Sequence, residues 1–203
     1  MSRINLIIFH PYSNIGGADL SISKLINNLD HNKYKIEFIC LNQQKISKYI
    51  NKKIKIHIIK SSKTLFSIFK IRNIVKKNLR LNYKKIIFLS NQNFANIISY
   101  FITIGFERRL KRIIIERNHI SELYNYFSIK DFIIKNLIKN LMKFMYSNFD
   151  TIIGNSKELS RDLSKYTNLK VLNISNSVPS YELKKKFLKK GKSRILNIGR
   201  LEK

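Results

Sequence analysis

Apolar residues in this chain fall into two alternating kinds of run. Short blocks rich in Ile, Leu, Phe and Val recur at Ile4–Phe9, Tyr34–Leu41, 54–59, 85–90, 112–116, Thr151–Gly154 and 170–174. Longer amphipathic segments lie between them, at 18–29, 64–81, 94–104, 129–147 and 156–166. Most blocks are continuous rather than alternating, as in parallel strands buried on both faces. Strand and helix in succession predict an α/β protein with a doubly wound, Rossmann-like parallel sheet. Right-handed crossovers then place the functional loops at the carboxyl ends of the strands. In the segment 129–147, Lys135, Lys139 and Lys143 step by four, opposite Ile134, Leu137, Ile138, Leu141 and Met145. That pattern predicts an apolar side on the sheet and a lysine side in water. A sharper alternative has the lysines docking on anionic lipid head groups.

The pattern changes after residue 174. A turn-rich stretch and the basic segment 184–192 precede one more β-like run at 194–198. The expected organisation is a domain at 1–175, a linker at 176–193, and the first strand of a second domain at 194–203. On that expectation the chain is a fragment or a truncated reading frame.

Charge changes the picture next. Among 203 residues, 40 Lys and Arg face 12 Asp and Glu, a formal net charge of +28. Such an excess points to polyanionic partners: nucleic acid, anionic membrane or phosphorylated ligands. Codon bias is a competing source, because 36 Ile, 30 Lys and 23 Asn share A/T-rich codons. Bias does not explain a gap in acids, however. Between Phe38 and Phe106 there are 14 Lys and Arg and no Asp or Glu. That stretch points first to a membrane face or an anionic acceptor. No RNA-recognition, zinc, KH or helix-turn-helix signature is present, which disfavours nucleic acid.

Six Gly, two Pro and one Cys exclude collagen-like, disordered and disulfide-framework classes. Cys40 sits in an apolar run and reads as a buried, inert thiol. There is no signal-peptide pattern and no apolar stretch of about 18 residues. The expectation is a cytoplasmic protein, soluble or peripheral on the inner face of the plasma membrane. No clustered metal ligands occur, so no metal is expected.

Four short motifs carry candidate chemistry. Gly16-Gly17-Ala18-Asp19 follows the first strand. Adjacent glycines there let backbone approach a ligand, and a helix start offers N–H groups to an anion. The competing reading is a tight turn with Asp19 in the first helical turn. Neither the dinucleotide fingerprint nor a Walker A loop is present. Ile115-Glu116-Arg117-Asn118-His119 ends a mid-sheet strand, and Ile153-Gly154-Asn155-Ser156 leads into a helix that Ser156 is expected to cap. Ile198-Gly199-Arg200-Leu201 places a guanidinium at a strand end, for a diphosphate or simply for solvent.

In order and spacing this set resembles the amino-terminal half of a retaining GT-B glycosyltransferase of family 4. The first motif is similar to that family's G-G-A-E and the second to the S-E-R-N of bacterial surface-polysaccharide members. The third resembles its N-S junction and the fourth its G-R-L. The resemblance implies transfer of a sugar from a nucleotide-sugar donor to a surface-glycan or lipid-linked acceptor, without a separate cofactor. It implies that Gly16 and Gly17 border the donor diphosphate and the acceptor. It places His119 near the transferred sugar as the catalytic candidate, and sets Arg200 against the diphosphate. Glu116, Arg117 and Asn118 become candidate sugar or acceptor contacts. A surface-loop role for His119 and a structural Glu116–Arg117 ion pair stay open. The family's second basic residue and its Glu-x7-Glu pair are not found in these 203 residues, so negligible transferase activity is expected from the chain alone. The alternative is a non-catalytic, basic Rossmann-like protein that binds nucleic acid or another polyanion.

Overall fold

Five of the six residues of the first strand, β1 (Ile4–Phe9), are buried. Leu6 and Ile8 point to one face of the sheet and Ile7 and Phe9 to the other. A strand buried on both sides needs a helix layer above and below it. The computed structural model supplies both layers, and describes residues 3–11, 15–42, 45–61 and 63–175.

Among the described residues the remaining strands are β2 (Tyr34–Leu41), β3 (Lys55–Ile59), β4 (Lys85–Asn91), β5 (Lys111–Glu116), β6 (Thr151–Gly154) and β7 (Val171–Asn173). They form one seven-stranded sheet in the order β3-β2-β1-β4-β5-β6-β7. Every pairing is parallel. The helices are α1 (Gly17–Asn28), α2 (Ile68–Leu79), α3 (Asn93–Thr103), α4 (Ile129–Tyr146) and α5 (Lys157–Thr167). This is the doubly wound α/β sheet that the hydrophobic pattern predicts. Boundaries shift by a few residues. The segment 64–81 divides into a 3-10 turn, Thr64–Ser67, and α2. A second 3-10 turn, Lys45–Tyr49, joins β2 to β3.

Three apolar clusters hold the layers together. One face joins β1, β2 and β4 to α2 and α3 through Ile71, Val75, Ala95, Ile98 and Ile102. Farther along the same face, Met142, Met145 and Tyr146 of α4 and Leu163 of α5 pack on Ile114 and Ile152. The opposite face carries α1, through Ile22 and Ile26, and the 3-10 turn, through Ile46. Among the described residues α1 is the lone α-helix there. Beyond it Ile87, Ile113 and Ile153 are only partly buried, and Leu172 and Ile174 are exposed. An apolar trough of about 450 Å³ runs between α1 and these strands.

Helix α4 corrects a sequence expectation. Only Lys143 of its lysine stripe faces water fully, with Lys135 half-buried, and its apolar residues do not all face the sheet. Lys139 is buried, whereas Ile134 and Leu137 are exposed. The sheet-facing side is supplied by Met142, Met145 and Tyr146. Aromatic rings explain the reversal. The Lys139 ammonium lies 4.1 Å from the Tyr124 ring centroid and 2.8 Å from the Tyr126 hydroxyl. A buried ammonium is tolerated when such partners replace water.

A buried polar network ties the sheet to α2. Glu37 on β2 accepts from Asn78 of α2 and pairs with His57 of β3 at 2.7 Å, while Asn5 of β1 donates to Asn78 at 2.6 Å. Burial pushes the Glu37 carboxyl up, but hydrogen bonds from His57 and Asn78 and the nearby charges of His57 and Lys55 outweigh it. The net position is below the ordinary glutamate value. Cys40 is wholly buried, and desolvation alone raises its thiol to about 11, which keeps it protonated and unreactive. The expected linker and second-domain strand, 176–203, lie outside the described residues. No described helix is long and apolar enough to cross a membrane.

Candidate functional site

Chain direction across the sheet reverses at β1. After β1 the chain moves outward through β2 and β3, then returns to β4 on the other side. The helices that follow β1 and β4 therefore leave toward opposite faces, and a crevice opens between their amino ends. A cleft of about 790 Å³ occupies this place. Ala18 of α1, Gln92 and Asn93 at the start of α3, and Arg117 and His119 after β5 line it. Lys135 and Met142 of α4 close the side.

The backbone is strained where it turns into the crevice. Gln92, directly after β4, has φ 95°, and Ile15, just before α1, has φ 56°. Neither is glycine, and Ile is β-branched, so each conformation costs on the order of 1–3 kcal/mol. The surrounding structure must hold them there.

A directed chain of hydrogen bonds does part of that work. Arg117 Nε donates to Asn91 Oδ1 at 2.6 Å. Guanidinium can only donate, so this contact fixes which end of the Asn91 amide is oxygen. Asn91 Nδ2 must then face His10, and it donates to Nδ1 at 3.0 Å. The accepting Nδ1 carries no proton. The ring proton sits on Nε2, which donates to Asp19 Oδ1 at 2.8 Å. Asp19 Oδ2 accepts the Gly16 backbone N–H at 2.8 Å and so holds the start of α1. His10, Asn91 and Asp19 are buried. Arg117 is half-buried: burial lowers its guanidinium and the Asp19 charge pulls it back up. His10, Asp19 and Asn91 escaped the sequence reading as site residues. Their signal was positional, since His10 and Asn91 end adjacent strands and Asp19 sits in the first turn of α1.

Glu116 has a supporting place. Its side chain is fully buried. One oxygen accepts the backbone N–H groups of Arg117 at 3.0 Å and Asn118 at 3.2 Å. The other accepts from the Tyr146 hydroxyl at 2.8 Å. Burial raises this carboxyl above the ordinary value, against the pull of those same donors. Glu116 thus shapes the loop that presents Arg117 and His119, and it touches no open space. The expected ion pair with Arg117 gives way to this supporting role, because the Arg117 side chain turns to Asn91 instead.

His119 is half-buried, lines the cleft, and begins a 3-10 turn, Ile120–Tyr124. Asn118 is exposed and donates to Glu122 at 3.1 Å. Gly16 caps α1 and Gly17 is its first residue. Among the described residues a Cβ on Gly17 meets nothing within 4 Å, and one on Gly16 meets only Asp19 Oδ2 at 3.8 Å. Packing among the described residues therefore does not require either glycine. Ser156 Oγ accepts the Leu159 N–H at 3.1 Å and caps α5. Arg200 lies outside the described residues. Among the described residues, no three His, Cys, Asp or Glu side chains converge to hold a metal ion.

The cleft thus offers one guanidinium, the amino ends of α1 and α3, and a half-buried imidazole. Helix starts and arginine together suit an anion, and the imidazole suits a proton or a hydroxyl beside it.

No family model matches the chain, and no curated protein matches it. Solved structures do. Anabaena HepE, solved in complex with UDP and glucose, superposes with a TM-score of 0.56 at 13% identity, over 88% of this chain and 45% of that one. The amino-terminal domain of Candida albicans trehalose-6-phosphate phosphatase superposes with a TM-score of 0.51 at 9% identity, over 86% and 48%. The chain spans about half the length of the solved structures it matches. At this identity the likeness is one of fold: a Rossmann-like α/β domain of the kind found among GT-B proteins.

Proposed function

We propose that this chain is the acceptor-side, amino-terminal domain of a GT-B glycosyltransferase that uses a nucleotide-sugar. One observation carries the reading. Arg117, His119 and the amino ends of α1 and α3 converge on a single cleft at the point where the sheet reverses direction. Such a crevice is where open α/β sheets take ligands, and its groups match a phosphorylated sugar donor meeting a hydroxyl acceptor. HepE, of similar fold, was captured with UDP and glucose.

In this reading Gly16 and Gly17 leave room for the donor diphosphate, and Arg117 faces its charge. His119 lies beside the transferred sugar, and Asn118 contacts the acceptor. Arg200 adds a second cation against the diphosphate, stabilising charge as it develops on the leaving group. The family resemblance extends the proposal to family 4, retention of configuration, a surface-glycan or lipid-linked acceptor and a cytoplasmic setting. The donor is a substrate, and no further cofactor takes part. These 203 residues carry no Glu-x7-Glu pair, so the chain alone is proposed to turn over negligibly.

Titration of the 15N-labelled chain with UDP-glucose tests the site. Shifts are expected at Gly16, Gly17, Arg117 and His119, and Arg117→Ala abolishes them. Equal shifts from inorganic phosphate, spread over the surface lysines, defeat the reading. Robust turnover by the chain alone defeats the claim of inactivity.

A further inference from the structure

We propose that the outward face of α4, with Phe127 before it, is a membrane-docking surface that seats on anionic lipid. Helix α4 packs inward through Met142, Met145 and Tyr146. The opposite side carries Ile129, Ile133, Leu137 and Phe144, which are 81%, 61%, 57% and 65% exposed. These positions recur at steps of four and seven, so they form one stripe. Phe127, just ahead of the helix, is 90% exposed. The crest from residue 129 to 144 is about 22 Å long at helical rise. Isolated exposed apolar residues are ordinary, whereas a ridge of four on one stripe, interrupted at the exposed Asn140, marks an interaction surface.

Charge selects lipid as the occupant. Asp131 is the helix's single acid, and Lys135 neutralises it at 3.0 Å. Lys139 is withdrawn beneath Tyr124 and Tyr126. The cations that edge the crest are the exposed Lys130 and Lys143, the latter with its ammonium 4.8 Å from the Tyr166 ring centroid. An apolar crest edged by lysines is the composition of a helix lying in the head-group plane of an anionic bilayer. The neighbouring helix continues it: the Tyr100 ring lies 6.3 Å from that of Phe144, and Phe101 beside it is 40% exposed. Helices α2 and α3 fall within the acid-free stretch, so the surrounding field is positive as well. A second copy is a poor occupant, because it brings the same net charge of +28 to the contact. Phe127 and Lys135 also line the cleft. Resting on the reading given above, that places the cleft mouth at the level where a lipid-linked acceptor presents its sugar.

The chain contains no Trp, so a single introduced Trp reports on one position. Leu137→Trp places it on the crest. Tyr49→Trp places it on the opposite face of the sheet, at an exposed site. Each is mixed with vesicles of phosphatidylcholine, with and without phosphatidylglycerol. Blue-shifted emission and quenching by brominated acyl chains are expected for Leu137→Trp alone, and only with phosphatidylglycerol present. The double variant Ile133→Glu, Phe144→Glu is expected to lower vesicle co-sedimentation by about tenfold or more. Both sites are exposed, so far-UV circular dichroism and thermal melting of that variant are expected to match the parent. Several outcomes overturn the proposal: no vesicle binding, equal response from both Trp reporters, or undiminished binding by the double variant. A parent dimer that the double variant dissolves, with vesicle binding unchanged, overturns it too. Vesicle binding without any UDP-glucose response leaves this surface standing and removes only the reading of the cleft.

Discussion

Asn91 donates from Nδ2 to His10 Nδ1 across 3.0 Å, in a buried contact between the ends of two neighbouring strands. The direction of that bond is set from outside, by Arg117 on the other end of the amide. It makes His10 the Nε2–H tautomer and aims that proton at Asp19. The first turn of α1 is thereby coupled to the loop after β5.

The tautomer can be read directly. Long-range 1H–15N correlation is expected to show His10 protonated at Nε2 and bare at Nδ1. Asn91→Leu leaves the ring nitrogen unsatisfied, at a cost of about 1–3 kcal/mol. A protonated Nδ1 in the parent chain contradicts the chain of donors.

Glu37 provides a pH test. Its folded value lies below that of the unfolded chain. Its contribution is therefore fully present above the unfolded value, near the ordinary 4.5, and is lost as pH falls through the folded value. Glu37→Gln removes this dependence. Urea melts of parent and variant are expected to differ most at neutral pH and to converge in acid. A gap that widens in acid rejects the account.

Two glycines separate packing from ligand approach. Gly154→Ala sets a Cβ 3.1 Å from the Ser160 backbone N and Cα, and against the Ser160 hydroxyl. A loss of roughly 1–3 kcal/mol is expected, because β6 and α5 must move apart. Gly17→Ala meets open space and should be neutral or slightly stabilising, by up to about 1 kcal/mol. Its effect is expected in UDP-glucose binding instead. Thermal melting and the titration described above read the two effects separately.

Glu116→Gln sets an amide N–H2 among groups that donate: two backbone N–H groups, and the side-chain amides of Asn93 and Asn96. About 1–3 kcal/mol of stability should go. Amide exchange at Arg117 and Asn118 should quicken, because their shared acceptor is halved. Unchanged exchange at both positions shows that the carboxylate does not hold this loop.

Most of the fold was legible because parallel strands buried on both faces leave an unmistakable apolar block. The seven blocks became the seven strands, within a residue or two. The orientation of α4 was not legible. Its apolar residues occupy more than one side, so periodicity alone does not say which side meets the sheet. The aromatic rings of Tyr124 and Tyr126, which make a home for Lys139, lie outside the helix and its repeat. At the cleft, Arg117 and His119 were marked by a strand-end motif. Asn91 and His10 were not, since each looks ordinary until strand order sets them side by side. The strain at Gln92 has no sequence signal, because glutamine carries no preference for positive φ.

Strand order also has a consequence for synthesis. Strand β1 leaves the ribosome first yet lies mid-sheet, between β2 and β4. One of its edges has no partner until residues 85–91 emerge, roughly 4–16 s later at ordinary elongation rates. Through that interval Ile7 and Phe9 belong to a face whose covering residues on α3 do not yet exist. A nascent chain that stops before β4 is therefore an aggregation hazard and a chaperone client. One that passes β4 gains β5, β6 and β7 by simple accretion at a single growing edge.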